Sequence, residues 1–204
     1  MLTRDDSGFS LVELLLVIVI LGVITLPLSN VIIAALHQTD QSAGRLAESH
    51  DAQVSAAYWA ADVASIGTRS TSDPLDPRLR PSIETGVAYN DGRYPCGTAG
   101  TPAAVVRLAW DDVVDAATTT LVVVAYVAKP ADGRFELHRL HCTGSTTPAS
   151  DVVLAHDLLA APVVQCQGGC TGVPWSVQLR LTIQDSKSRE PSYEVTLTGN
   201  RRQE

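Results

Sequence analysis

The apolar run near the amino terminus is the feature that most constrains this chain. Between Phe9 and Leu36 the only charged residue is Glu13. A helix rising 1.5 Å per residue would carry this run across about 42 Å, more than the roughly 30 Å hydrocarbon core of a bilayer. The sequence therefore predicts a membrane-spanning helix, in which a carboxylate is costly unless it lies at the interface or meets a partner.

The segment before the run does not read as an ordinary secretory signal. Its sequence is MLTRDDSG, in which Asp5 and Asp6 offset the charge of Arg4. The apolar run that follows is too long for a cleaved signal peptide, and no A-x-A cleavage site comes after it. The apolar helix is therefore expected to be kept in the mature protein.

The residues across this junction, GFSLVELLLVIVILG, resemble the class III signal of type IV prepilins and of the pseudopilins of type II secretion. The resemblance implies that a prepilin peptidase cuts after Gly8 and methylates Phe9, the new amino terminus. Glu13 is then the fifth mature residue and Gly22 the fourteenth. Residues 1–8 would be a leader peptide on the cytoplasmic side.

The resemblance also implies a role for Glu13. In an assembled filament the apolar helices pack against one another, and the buried amine of Phe9 needs an anion, which Glu13 supplies in its own or a neighbouring subunit. The sequence departs from the family pattern where Asn30 occupies the twenty-second mature position, often proline in the family. Pro27 lies three residues earlier and is expected to kink the helix.

The helix is predicted to continue to about residue 66 and to end at Gly67. Its second half has no proline, is rich in alanine, and carries apolar residues at roughly helical spacing: Leu36, Leu46, Val54, Ala57, Ala61 and Ile66. Tyr58 and Trp59 fit a binding patch or, as we expect, core packing. A proline-rich loop from residue 68 follows.

Strands dominate the rest of the chain. Strands are predicted at 104–110, 120–128 and 134–142, the last two joined in a hairpin by KPADG. The segment WSVQLRLTI alternates strictly, which predicts one buried face consisting of Val177, Leu179, Leu181 and Ile183. SYEVTLTGN repeats the pattern, so we expect a final hairpin laid on the helix.

These elements predict an α+β, pilin-like fold, in which a long N-terminal helix packs on an antiparallel sheet head. The expected organisation has four parts: a leader (1–8), a transmembrane and filament-core helix (9–36), an amphipathic helix (37–67) and a β-rich head (68–204).

Composition and motifs argue against several function classes. The formal net charge is −7 and the pI is near 5.1, so nucleic acid is not the default partner. The chain has no Gly-rich phosphate loop, no H-E-x-x-H and no G-x-S-x-G. We therefore expect a protein that is not an enzyme and has no cofactor; an anchored periplasmic enzyme would need clustered catalytic residues.

Two segments are weak metal candidates. In HRLHC, His138 and Cys142 share one strand face while His141 points to the other, so solvated histidines are the favoured interpretation. DDVVD, residues 111–115, fits either a calcium site or, preferably, a solvated acidic turn. No metal site is predicted.

All four cysteines follow the membrane segment, where an exported domain meets an oxidising compartment. CQGGC suits a tight loop closed by Cys166 and Cys170, which leaves Cys96 to pair with Cys142. Three pairings are formally possible.

The sequence thus predicts a structural subunit, a minor pilin or pseudopilin. It would be anchored by one span in the inner membrane with its head outside the cytoplasm, and then assembled into a type IV pilus or type II secretion pseudopilus. DAQVSAAYWAADVASIG resembles the helix end of J-type and W-type minor subunits. Expected partners are prepilin peptidase, other pilin subunits, the inner-membrane assembly platform and membrane lipid. The alternative is a pilin whose head is an adhesin or DNA-uptake receptor.

Overall fold

The structure, a computed structural model, describes residues 10–67, 81–113, 118–184 and 191–202. The chain divides into two compact units, Met1–Arg45 and Leu46–Glu204. The elements in chain order are α1 (Leu11–Ser65), β1 (Ile83–Val87), β2 (Ala104–Val113), β3 (Thr119–Ala131), β4 (Arg134–Thr143), β5 (Ser150–Leu158), β6 (Val163–Cys166), β7 (Ser176–Ile183) and β8 (Tyr193–Asn200).

The long helix agrees with the predicted limits. α1 continues through Pro27 and ends at Ser65. Gly67 follows with φ of 86°, the left-handed conformation that commonly terminates a helix and that glycine adopts without steric cost. The predicted proline-rich loop falls on residues 68–80, which lie outside the described residues.

The strands form one antiparallel sheet in the order β1-β2-β3-β4-β5-β7-β6, and β8 pairs with the other side of β7. The predicted strands in β2, β3, β4, β7 and β8 are confirmed. The sequence reading missed β1, β5 and β6. β1 contains a glycine with φ of 66° and β6 has only four residues, so neither carries a readable alternation.

The predicted hairpin between β3 and β4 is confirmed. Asp132 and Gly133 form its two-residue turn, with φ of 47° and 77°. Positive φ at both central positions matches the twist of the flanking strands, and an Asp-Gly pair is among the residues that tolerate it.

The face that α1 packs on the sheet agrees with the predicted one only in part: Ile66 is buried and Val54 packs against the core, as predicted. Ala57 and Ala61 are exposed, and Leu46 is 72% exposed. Beside Ile66, the helix buries Ser55, Trp59, Asp62 and Val63, which were not in the predicted set. Because α1 has alanines on every side, the sequence does not determine which side of the helix faces the sheet. The packing of Trp59 and Val63 against the sheet determines it.

The final hairpin does lie on the helix, as predicted. Trp59 Nε1 donates to the carbonyl oxygen of Val177 at 3.1 Å. A Cβ placed on Gly199 of β8 would lie 2.5 Å from the Cβ of Val63, so glycine permits this close approach. The buried face predicted for β7 is also confirmed, since Val177, Leu179, Leu181 and Ile183 are all at most 2% exposed.

Two polar side chains of α1 bond the backbone of β5. Ser55 Oγ donates to the carbonyl oxygen of Leu154 at 2.9 Å. The backbone N–H of His156 donates to Asp51 Oδ2 at 3.2 Å, and His156 Nδ1 lies 2.8 Å from the same oxygen. β5 is paired with β7 only at Leu158 and Ile183. The helix therefore supplies hydrogen-bond partners to backbone groups of β5 where that strand is not paired with β7.

The central strand β3 is buried on both faces, whereas a single buried face was predicted for the sheet. A second cluster, on the face away from α1, includes Tyr94, Cys96, Ala125, Leu140 and Cys142. The coil between β1 and β2 supplies the first two of these residues. Because irregular coil has no periodicity, the sequence pattern did not indicate that this coil covers the second face of the sheet.

Arg107 of β2 holds part of that coil in place. Its side chain is fully buried, donates to the carbonyl oxygens of Val87, Ala88 and Asp91, and lies 3.6 Å from Glu84. Burial lowers the pKa of Arg107, and the charge of Glu84 opposes that effect. The buried guanidinium of Arg107 therefore holds the coil between β1 and β2 in place through these hydrogen bonds.

Candidate functional site

The predicted processing and assembly residues all belong to the amino-terminal part of the chain. Gly8 and Phe9 lie outside the described residues. Glu13 occupies the first turn of α1, with Gly22 and Pro27 further along the same helix. The carbonyl oxygen of Ser10 accepts the backbone N–H of Glu13 at 3.0 Å and of Leu14 at 3.1 Å, so Ser10 is the residue that opens the helix.

The position of Glu13 suits a carboxylate electrostatically. The first turn of a helix carries the partial positive charge of unpaired backbone N–H groups, which favours an anion. Ser10 and Glu13 also have the S-x-x-E spacing of a capping box. This spacing is visible in the sequence alone.

The apolar part of α1 is uncovered by the rest of the described chain. The exposed fraction is 80% for Leu11, 61% for Ile18 and 66% for Val31. α1 is the one helix among the described residues that is long and apolar enough to cross a membrane. Such a surface on a soluble monomer would be an aggregation liability, and it fits a segment that is surrounded by lipid or by other helices.

Hydroxyl groups within this segment are satisfied by the helix itself. Thr25 Oγ1 donates to the carbonyl oxygen of Leu21 at 2.8 Å, and Ser29 Oγ donates to that of Thr25 at 2.9 Å. These internal bonds remove the cost of placing hydroxyls in hydrocarbon.

Between α1 and the sheet, the structure reveals an ionic cluster that sequence reasoning missed. Asp62 of α1 accepts hydrogen bonds from Arg139 of β4 and from the hydroxyl of Tyr126 on β3. All three residues are at most 9% exposed. No short-range signal links them, because the sequence separations are 64 and 77 residues.

The cluster shifts the protonation of its members. Burial, reinforced by the charge of Asp62, raises the pKa of Tyr126 well above its ordinary value, so its hydroxyl stays protonated and donates. Burial lowers the pKa of Arg139, but the hydrogen bonds and charge of Asp62 outweigh this and raise it. Arg139 also stacks on Tyr58, with 4.9 Å from Cζ to the ring centroid. Trp59 is in the core as expected, while Tyr58 is 38% exposed.

The candidate metal ligands of the HRLHC segment do not come together in the structure. Cys142 is in a disulfide, and the expected solvated state is wrong for His138, whose side chain is 12% exposed between Glu136 and Asp151. Burial, with the charge of Arg139, lowers the pKa of His141. Across the described ranges, no group of three or more His, Cys, Asp or Glu is placed to hold a metal ion.

The acidic segment 111–115 lies partly in β2. Asp111 and Asp112 are opposite Leu121 and Thr120 in the ladder with β3, and Asp115 lies outside the described residues. The segment is therefore at least partly strand, whereas a turn was expected.

The four cysteines form two disulfides. Cys96 bonds Cys142 beneath the coil on the second face of the sheet, and both residues are at most 1% exposed. Cys166 bonds Cys170 around the two glycines, in a loop at the end of β6. No cysteine is free.

A polar depression of about 300 Å³ lies over β6 and β7. It is lined by Gln165, Cys166, Gln167, Ser176 and Gln178. None of these side chains is charged, so the depression is not the basic groove that a DNA-uptake receptor would need.

Comparison with known proteins finds a family at the amino terminus of the chain. Residues 3–29 match the family model described as the prokaryotic N-terminal methylation motif. The matched range contains Gly8, Phe9, Glu13, Gly22 and Pro27. No curated protein and no solved structure matches the chain.

Proposed function

We propose that the chain is a minor subunit of a type IV pilus or type II secretion pseudopilus. Its residues 3–29 match the prokaryotic N-terminal methylation motif, which supports membership of the type IV prepilin and pseudopilin family. The observation that carries the proposal is the coincidence of that motif with an exposed, membrane-length apolar helix. A motif that is cut and methylated at its junction leaves the helix attached to the head.

The helix is proposed to have two successive environments. In the inner membrane, lipid covers the apolar surface and Glu13 lies near the interface. In the filament, other subunits' helices replace lipid, and the Glu13 carboxylate pairs with the Phe9 amine. In both environments the apolar surface of the helix is covered, so the same segment serves as membrane anchor and as assembly element.

The head is proposed to be a structural domain outside the cytoplasm. Two disulfides suit an oxidising compartment. The buried charges, Asp62, Arg107 and Arg139, are engaged in packing contacts that brace α1 and the coil, which is a structural rather than a catalytic use. The preference for a minor subunit depends on the long connector and on the resemblance of the helix end to J-type and W-type subunits.

Processing tests the proposal directly. In cells that contain the cognate peptidase, the intact mass should correspond to a chain beginning at methylated Phe9. Gly8→Val should block the cut, while the neighbouring control Ser7→Ala should be processed normally. A mature wild-type chain that keeps Met1, or one cut after Leu36, would contradict the proposal.

A further inference from the structure

Three strands of the described sheet are paired on one side only: β1, β6 and β8. β1 has five residues and contains Gly86 with φ of 66°, and β6 has four residues. β8 has eight residues, and all eight pair with β7 without a shift of register. Short or irregular edge strands are poor templates for another strand, whereas a long and regular edge is a good one. Among the described strands, β8 is therefore the edge best suited to accept a further strand.

Alternate residues of β8 direct their backbone groups away from β7. The N–H of Arg201 donates to the carbonyl oxygen of Trp175, one position beyond the end of the β7–β8 ladder. Because bonded positions recur at every second residue of an antiparallel pair, the odd-numbered residues of β8 bond β7. The groups that point outward belong to the even-numbered residues, which are Glu194, Thr196, Thr198 and Asn200. These four residues are exposed, and no hydrogen bond joins their outward N–H and C=O groups to any described residue.

The helix α1 meets the strands of the sheet in order around its circumference. Four of its residues contact β4, β5, β7 and β8 in turn, namely Asp62, Ser55, Trp59 and Val63. At about 100° per residue, each lies about 20° to 40° further around the helix than the one before. Ala56 and Ala60 come next, within about 60° of Val63, and both are exposed. A strand added beside β8 would therefore lie against two alanines, whose small side chains leave room for its apolar side chains.

The side chains of β8 define the kind of strand that fits. Val195 and Leu197 belong to the core on the α1 side of the sheet, and the even-numbered residues of β8 are polar. Residues that face each other in neighbouring strands lie on the same face of a sheet, so a fitting strand alternates apolar residues over α1 with polar residues on the other face. Only an extended polypeptide supplies backbone partners at this regular spacing, which excludes a lipid or a sugar as the occupant.

Building on the proposed function, we infer that a β-strand of a different subunit in the same assembly adds to β8, with its apolar side chains over Ala56 and Ala60. The edge lies along α1, since Gly199 of β8 touches Val63. The proposed function packs α1 among the helices of other subunits, so a neighbouring subunit is within reach of this edge. The added strand bonds the outward backbone groups of β8, and its alternation selects which subunit binds there.

Hydrogen exchange at single amides tests the pairing. The two samples are the assembly purified from native cells and the full chain produced with the peptidase but without other subunits. In the chain alone, the outward amides of Thr196 and Thr198 should exchange much faster than the amide of Leu197, which is bonded to β7. In the assembly, exchange at Thr196 and Thr198 should slow by about tenfold or more, while Leu197 is protected in both samples.

Proline substitution removes an outward donor without touching the β7–β8 ladder. Thr196→Pro and Thr198→Pro lack the N–H that would bond the added strand, and an edge strand tolerates proline where the N–H points outward. Each should lower the amount of chain recovered with other subunits by about threefold to tenfold. Thr196→Val and Thr198→Val keep the N–H and the strand preference, so they should be recovered at the wild-type level. Slow exchange at Leu197 in each variant shows that the ladder is intact.

The flank of α1 offers a second variant that leaves β8 unchanged. Ala60→Phe fills the space over which the apolar side chains of the added strand would lie, so it should also lower recovery by about threefold or more. Ala61→Phe is the matched control, because Ala61 is an exposed alanine about 100° further around the same helix. Equal losses for the two variants would contradict the inferred place of the strand.

The outcomes separate this inference from the proposed function. The intact mass of every variant reports cleavage after Gly8, which needs no residue of β8. If the wild type is not cleaved, the proposed function fails and this inference fails with it. If the chain is cleaved and assembled but Thr196 and Thr198 gain no protection, or if the proline variants are recovered as well as wild type, strand addition is wrong while the proposed function stands. Protection of these amides in the chain alone, together with the mass of a dimer, would show that a second copy occupies the edge and would overturn the inferred partner.

Discussion

Asp62 of α1 and Arg139 of β4 form a two-pronged ion pair between the helix and the sheet, with Nε to Oδ2 at 2.8 Å and Nη2 to Oδ1 at 2.7 Å. Tyr126 donates a third hydrogen bond to Oδ2 at 2.6 Å. Because these bonds have defined directions, they specify which turn of the helix lies on which strand.

Breaking this pair should strongly destabilise the head. Asp62→Ala leaves the Arg139 charge buried without its partner, which should lower the free energy of unfolding by about 3 to 5 kcal/mol. Lys129→Ala, which breaks the more exposed pair with Asp151, is the matched control and should cost no more than about 1 kcal/mol. Chemical denaturation of a chain that begins at Leu46 compares the two variants; equal losses would contradict a larger contribution from the buried pair.

A glycine-to-alanine change should reveal the close approach of β8 to α1. Gly199→Ala would place its Cβ against the rigid, buried Val63, and overpacking of this kind typically costs about 1 to 3 kcal/mol. Adding Val63→Ala makes room, so the double variant should be more stable than the sum of the single losses predicts. Gly133→Ala is unsuitable as a control because its φ is 77°; Ala57→Gly on the exposed side of α1 reports ordinary helix propensity instead. Strict additivity of the two changes would contradict the contact.

The two disulfides should differ in their contribution to stability. Cys96 and Cys142 are 46 residues apart, against 4 for Cys166 and Cys170. In the loop-entropy account, removing the first with paired Ala substitutions should cost about 4 kcal/mol and removing the second about 2 kcal/mol. Thermal unfolding of the two variants measures the order. Non-reducing peptide mapping of envelope-derived protein should find both crosslinks; four free thiols would contradict the exported location.

Glu13 should be needed for assembly and not for processing. Glu13→Val makes the helix more apolar, so the chain should still insert and still be cut after Gly8, while recovery with partner subunits should fall because the Phe9 amine would be buried alone, at a typical cost of about 3 to 5 kcal/mol. Glu13→Asp should be partly tolerated. Processing and co-purification are read from the same cells. Incorporation of Glu13→Val at the wild-type level would leave only a helix-capping role for this residue.

The contact between His156 and Asp51 should give a small dependence on pH. Its hydrogen bond to Asp51 raises the pKa of His156 despite partial burial, and Glu136 and Asp157 add to the rise. A raised folded-state pKa stabilises the protein below the unfolded value of about 6.5, and that stability is lost as pH rises through the folded value. Between pH 6 and pH 8, wild type should lose up to about 1 kcal/mol relative to Asp51→Asn, since His156 is half exposed. If the free energy of unfolding depends on pH in the same way for the two proteins, the contact between His156 and Asp51 does not contribute to stability.

Several features were determined by the sequence because their causes are local. The apolar run from Phe9 to Leu36, the end of the helix at Gly67, the Asp132-Gly133 turn and the alternation of β7 each depend on residues close together in the chain. The methylation motif is local as well, since the match lies within residues 3–29.

The tertiary structure alone decided what lies against what. The buried side of α1 could not be read from a segment with alanine on every side, and the shape of Trp59 and Val63 against β7 and β8 set it. No residue near Asp62 in the sequence indicates that it pairs with Arg139, which is 77 residues away. Packing and buried ion pairs depend on three-dimensional proximity between distant segments, and the pattern of one sequence does not encode that proximity in any short window.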